Sequence, residues 1–146
     1  LLNKSSLSRE TLIIDFMAAS GNFSQKVKQI IPYSPPTIIG MDTSKSLATY
    51  AQRTNEMVLW ANHETFPFKE NIADIAVATC TSSSMSLEQR EELILSMGKF
   101  LKRGGISIIQ DLEQGSSSAK WFEEIVRHYG STRKLATSIT RERFYK

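Results

Sequence analysis

The chain predicts a single α/β domain, a mostly parallel sheet covered by helices on both faces, and three observations carry that reading. Short apolar runs alternate with longer stretches of helical periodicity along the chain. A turn of small residues, Ala18-Ala19-Ser20-Gly21-Asn22, directly follows the first apolar run. Asp42 closes the second run, twenty-one residues after that turn. In nucleotide-binding folds, an acidic residue at about this distance binds ribose hydroxyls. Asp is also a favoured helix N-cap, so Asp42 alone leaves both roles open.

Taken in order, Thr11 to Phe16 reads as a buried strand, with charge before it and small residues after it. Asn22 to Ile31 reads as a helix, stopped by Pro32 and the pair Pro35-Pro36. Thr37 to Met41 is a second strand. Ser44 to Arg53 is a second helix, with Leu47, Ala48 and Ala51 on one face. Met57 to Ala61 and Ile72 to Ala78 are strands three and four, the latter followed by the polar stretch Thr79 to Ser84. Glu88 to Leu101 carries Leu93, Met97 and Leu101 at helical spacing, with Lys102-Arg103 expected in its last turn before Gly104-Gly105. Ile106 to Gln110 is a fifth strand. Ala119 to Tyr129 is a helix, and Ser131 to Lys146 favours a terminal strand pair. Alternation of this kind implies right-handed crossovers between parallel strands.

The length of 146 residues and 40% apolar content suit one domain with a substantial core, here residues 11–146 behind a short extension, residues 1–10. A net charge of +3, spread along the chain, does not demand a nucleic-acid partner. One cysteine excludes an internal disulfide framework, and no apolar stretch approaches the roughly 20 residues of a membrane span. With no signal peptide visible, a reducing, cytoplasmic setting is expected.

Four segments together resemble the class I S-adenosylmethionine-dependent methyltransferase family. Ile13-Ile14-Asp15-Phe16-Met17-Ala18-Ala19-Ser20-Gly21-Asn22-Phe23-Ser24 is similar to its first motif, where a strand ending in an acid and a glycine-rich turn receive the methionine part of the cofactor. Ile38-Ile39-Gly40-Met41-Asp42-Thr43-Ser44 resembles the second, whose acid binds the ribose. Asn62-His63-Glu64-Thr65-Phe66-Pro67-Phe68, followed by the run to Val77, resembles the adenine-side loop and fourth strand. Phe100 to Asp111 resembles the turn into strand five. The resemblance implies a Rossmann-like sheet of seven strands in the order 3-2-1-4-5-7-6. It also implies S-adenosylmethionine as cofactor, held by Asp15, Ala18, Ala19, Gly21, Asp42, Thr43, Asn62, His63 and Thr79. No catalytic base is obligatory for displacement at a sulfonium methyl, because alignment carries the reaction.

Three departures from the family pattern bear on function. Met17 and Ala19 stand where the family prefers glycine, and Asn62 stands where an acid is common. The loop from Thr79 lacks the Pro-Pro-aromatic signature of nucleic-acid amino-methylases, which favours a small-molecule acceptor. With only residues 1–10 ahead of strand one, the pocket is expected to be shallow or completed by a partner domain or subunit. Two readings therefore stand: a methyltransferase, or a methyltransferase-like binding module without catalysis. A nicotinamide dehydrogenase ranks below both, because Gly-x-Gly-x-x-Gly is absent. Cys80 reads as a buried small residue, His63 as a loop histidine at the adenine side, and His128 as a charge at a helix end.

Overall fold

A computed structural model describes residues 7–54, 56–62, 65–81 and 85–111. Within them the order is β1 (Leu12–Phe16), α1 (Asn22–Ile30), β2 (Thr37–Asp42), α2 (Lys45–Arg53), β3 (Val58–Trp60), β4 (Ala73–Thr79), α3 (Leu87–Phe100) and β5 (Leu101–Gln110). The strands form one sheet in the order β3-β2-β1-β4-β5, and every neighbouring pair is parallel. This is the Rossmann-like arrangement expected, for the five strands described. Strands six and seven, the helix from Ala119, His63, His128 and residues 1–6 lie outside the described residues.

The central strands are apolar on both faces because both faces are covered. Ile14, Phe16, Ile39, Met41, Ala76 and Ala78 point to the layer that holds Leu93, Met97 and Phe100 of α3. Their alternates Ile13, Ile38, Ile75 and Val77 meet Phe23 and Val27 of α1 on the opposite face. Alternation therefore survives inside runs that look uniformly apolar. Phe100 anchors the α3 side, with ring centroids 6.2 Å from Phe16 and 5.3 Å from Phe66, the latter edge-on.

Helices α2 and α3 start at side-chain caps. Ser86 and Gln89 form a reciprocal capping box at the head of α3. Ser44 caps α2, its hydroxyl accepting the Leu47 N–H at 3.4 Å. The capping alternative for Asp42 is thereby displaced by Ser44, two residues on.

Lys102 and Arg103 do not extend the last turn of α3, as the sequence suggested. The helix ends at Phe100, and Leu101 is already extended with ψ of 135°. Between the pairs Ala73–Leu101 and Ile75–Ile106, β5 bulges to accommodate Lys102 to Gly105. Lys102 Nζ sits 2.8 Å from Asp74 Oδ1, while the Leu12 N–H donates to Asp74 Oδ2 at 2.8 Å. Burial opposes the Asp74 carboxylate, but these bonds and the Lys102 charge outweigh it and hold the group below its usual range. Asp74 thus ties β4 to both of its neighbours at the amino end of the sheet.

Among the described glycines, Gly40 has the least room for a side chain. A Cβ there would lie 2.5 Å from the Ala18 Cβ and 3.0 Å from Val58 Cγ2, so the turn after β1 rests directly on β2. Gly40→Ala is expected to destabilise the protein by about 1–3 kcal/mol through overpacking, read as a lowered urea midpoint at unchanged m-value.

Candidate functional site

The turn after β1 is built from left-handed backbone. Met17, Ala19 and Gly21 have φ of 57°, 48° and 79°. The Ala18 N–H donates to the Met41 carbonyl at 2.9 Å, and the Gly21 N–H to the Ala18 carbonyl at 2.8 Å. Gly21 is required twice over: its φ favours glycine, and a Cβ would lie 2.8 Å from Glu56. Met17 and Ala19 hold the same conformation with side chains attached. That costs roughly 1–2 kcal/mol per residue for L-amino acids.

Asp42 stabilises this turn. Its Oδ2 accepts the Ala19 N–H at 2.8 Å and its Oδ1 the Ser44 N–H at 2.7 Å. The carboxylate, only 6% exposed, therefore joins the β1–α1 turn to the β2–α2 turn. One acceptor position remains on each oxygen after these bonds.

Asp15, on β1, is 1% exposed, and its Oδ1 has no hydrogen-bond partner. Burial first, and then the negative charge of Asp42, push this carboxyl up to about 7 from its ordinary 3.8. Such an orphaned buried oxygen is rare in folded proteins.

An open cavity of about 320 Å³ lies at the carboxyl ends of β1, β2 and β3, walled on its far side by α3 and the residues before it. Phe16, Met17, Met41, Ala61, Met85 and Leu93 supply its apolar lining; Asp42, Thr43, Asn62, Gln89 and Glu92 supply polar groups. A mostly apolar concavity with a few convergent polar groups is how small-ligand sites are generally built. Of the residues expected from sequence, Asp42, Thr43 and Asn62 line it. Ala18 instead packs with Ala48, Ala51 and Val58 on the α2 side, Ala19 and Gly21 shape the turn, and Asp15 is buried on β1 outside the lining. Thr79 ends β4 away from the lining, and His63 lies outside the described residues.

Several details were beyond the sequence reading. Asn62 Oδ1 accepts both the N–H and the hydroxyl of Thr65, each at 2.8 Å, so an adenine amine would compete with Thr65 for it. Cys80, expected to be buried, is exposed with φ of 55°, because the chain turns left-handed as it leaves β4. The wall formed by Met85, Gln89, Glu92 and Leu93 was missed. Its only trace in the sequence is that Gln89, Glu92 and Leu93 fall on one stripe of α3 at spacings of three and four.

Comparison with known proteins agrees with this geometry. The profile of the methyltransferase domain family matches residues 15–109. Among curated proteins, none matches this sequence. A Thermotoga maritima S-adenosylmethionine-dependent methyltransferase, described as a possible histamine N-methyltransferase, superposes with a TM-score of 0.62 at 21% identity, over 85% of this chain and 55% of its own. The geranyl diphosphate C-methyltransferase of Streptomyces coelicolor, solved with Mg2+, geranyl diphosphate and S-adenosyl-L-homocysteine, gives 0.59 at 17% identity, over 85% and 49%. A Haloferax volcanii chain solved in complex with the Trm112 methyltransferase activator gives 0.56 at 14%, over 68% and 44%. At these identities the likeness is one of fold, and this chain spans about half the length of each. Among the described residues, no helix is long and apolar enough to cross a membrane.

Two measurements test the electrostatics. Replacing Asp42 with Asn leaves one acceptor oxygen for two N–H donors. At pH 5, where Asp15 holds its proton, this should cost about 1–3 kcal/mol of stability by urea unfolding. Asp15 binds its proton more tightly folded than unfolded, so its contribution is fully present below about pH 4 and is lost as pH rises to about 7. Asp15→Asn should remove that decline, worth up to roughly 4 kcal/mol, in unfolding curves taken from pH 4 to 8. The family match from Asp15 to Ile109 spans the turn, both acids and the cavity together, and the chain belongs to the methyltransferase domain family, with the Rossmann-like fold of the class I S-adenosylmethionine-dependent methyltransferases.

Proposed function

We propose that this domain binds S-adenosylmethionine in the cavity at the ends of β1, β2 and β3 and transfers its methyl group to a small-molecule acceptor. The observation that carries the reading is Asp42: a buried carboxylate on the cavity wall, already fixed by two backbone N–H groups and still offering one acceptor position on each oxygen. Two such positions match two vicinal hydroxyls, and fixed donors keep the carboxylate from swinging away. The residues present therefore fit the cofactor.

When bound, the cofactor would supply an electrophilic sulfonium methyl carbon for in-line attack by the acceptor's nucleophile, with the carbon–sulfur bond breaking and S-adenosylhomocysteine leaving as the thioether. The chain's own part is binding, orientation and exclusion of water. Phe16, Met41, Ala61, Met85 and Leu93 shield an apolar ring, and Thr43, Asn62 and Gln89 place hydrogen-bonding groups among them. Ala18, Ala19 and Gly21 hold the turn over the cofactor's amino-acid end. His63 and Thr79 are proposed neighbours of the adenine and of the methyl group. No general base is assigned, consistent with catalysis by positioning.

A small acceptor is favoured over a nucleic-acid base because the segment leaving β4, Thr79-Cys80-Thr81, carries no Pro-Pro-aromatic signature. A partner domain or subunit completing the pocket fits a cavity this open. The single cysteine suits the reducing cytoplasm.

A specific feature favours the alternative, a binding module without catalysis: Met17 lines the cavity from a left-handed backbone. Met17→Gly with Ala19→Gly decides between them. Because both residues are left-handed, glycine relieves strain here instead of only adding unfolding entropy, so the double variant should match or exceed the parent in stability. Calorimetry with S-adenosylmethionine should show micromolar binding by the parent if Met17 is accommodated. Binding gained only by the double variant would support the non-catalytic reading, and no binding by either would end the cofactor assignment.

A further inference from the structure

The cavity is furnished with polar groups at one end and bare at the other. Where β2 and β3 end, Asp42 keeps an acceptor position on each oxygen, and Thr43 and Asn62 add hydrogen-bonding groups beside Met41 and Ala61. That end can grip a ribose and a flat base. Toward the turn after β1, the lining stops at Met17, and residues 18–22 are absent from the wall. The N–H groups that this turn would offer an anion are already used. Ala18 donates to the Met41 carbonyl at 2.9 Å, Ala19 to Asp42 at 2.8 Å and Gly21 to the Ala18 carbonyl at 2.8 Å. The N-terminus of α1, another natural seat for a carboxylate, begins at Asn22, outside the lining. Among the described residues, the lining carries two acids, Asp42 and Glu92, and no lysine or arginine. An α-carboxylate entering here meets like charge and no counter-ion.

We propose that the cavity is a nucleoside site: it recognises the adenosine half of a 5′-thioadenosine and gives no hydrogen bond to an amino-acid tail, so nucleosides without the tail compete with S-adenosylmethionine on nearly equal terms. The inference rests on the cofactor reading above and narrows what that site recognises. Met17 sets the limit. Its backbone is left-handed, with φ of 57°, and it is the last residue of the wall on the side of the turn. A methionine there supplies apolar contact and neither a donor nor a charge. The size of the cavity agrees: about 320 Å³ lies at the low end of the roughly 300–1,000 Å³ of ligand pockets, which suits a nucleoside better than a nucleoside with an amino acid attached. Affinity then comes from ribose and base, where Asp42, Thr43 and Asn62 stand. A free 5′-thioadenosine therefore restrains methyl transfer by taking the cofactor's place.

The test titrates S-adenosylmethionine, S-adenosylhomocysteine and 5′-methylthioadenosine calorimetrically into the full chain. A turn that held the carboxylate through charge-assisted bonds would favour S-adenosylhomocysteine over 5′-methylthioadenosine by roughly ten- to a hundredfold. In this chain the two Kd values should agree within about fivefold. A larger preference for S-adenosylhomocysteine overturns the inference and leaves the cofactor reading intact. Binding of 5′-methylthioadenosine without binding of either amino-acid compound upholds nucleoside recognition and ends the cofactor reading, and no binding of any compound overturns both. Met17→Gly opens the wall toward the turn and the N-terminus of α1, so S-adenosylhomocysteine should tighten by about fivefold or more. Its partner probe, 5′-methylthioadenosine, does not reach the turn and should bind as it does to the parent, which also shows that the variant is folded. An equal change for both compounds, or none for either, overturns the part given to Met17.

Discussion

The site depends on one carboxylate bridging two turns. Asp42 accepts a backbone N–H from Ala19 on one side and from Ser44 on the other. The ends of β1 and β2 are therefore held at a fixed separation at the edge of the cavity. A parallel sheet leaves the carboxyl ends of its strands without partners, and the chain must turn sharply there into each helix. The N–H groups exposed by those turns need acceptors, and Asp42 supplies one to each. The same side chain that satisfies the backbone is the one that faces the cavity, so its structural and binding roles share one position.

That bridge also explains how a degenerate turn persists. Met17 and Ala19 adopt left-handed φ without the glycines that would make it inexpensive. Strained backbone of this kind survives only where its surroundings over-determine it. Here the surroundings are specific: the Ala18 N–H on Met41, the Ala18 Cβ against Gly40, and the Ala19 N–H on Asp42. The turn keeps the backbone path of a cofactor loop while placing a methionine side chain in the cavity.

The electrostatic arrangement beneath the cavity follows from the same geometry. Strand alternation points Ile13 and Asp15 to the α1 side and Ile14 and Phe16 to the α3 side. An acid at that position is carried into the interior whether or not a partner waits for it. The turn's N–H groups at Ala18, Ala19 and Gly21 go to Met41, Asp42 and Ala18, and the lysines of α1 go to Glu56 and Gln29. Asp15 is left with burial and a neighbouring charge, the two conditions that raise a carboxyl's affinity for its proton.

How much of this was legible without a structure follows from the range of each interaction. Strand identity, helix starts and the parallel arrangement are local or periodic properties, and the apolar runs at Leu12, Thr37 and Ala73 declare them; the Asp42 spacing located one wall of the cavity. What sequence could not show depends on contacts between distant segments. Ser44 and not Asp42 caps α2 because the Asp42 side chain is drawn across to Ala19, twenty-three residues away. Lys102 leaves the helix end for Asp74 because β5 bulges beside β4, a register that only sheet pairing sets. The α3 wall of the cavity, with Met85, Gln89, Glu92 and Leu93, exists only once the helix packs on Phe16 and Met41. Periodicity reports which face of an element is buried, whereas the shape of a site depends on which elements meet, and that is decided by packing in three dimensions.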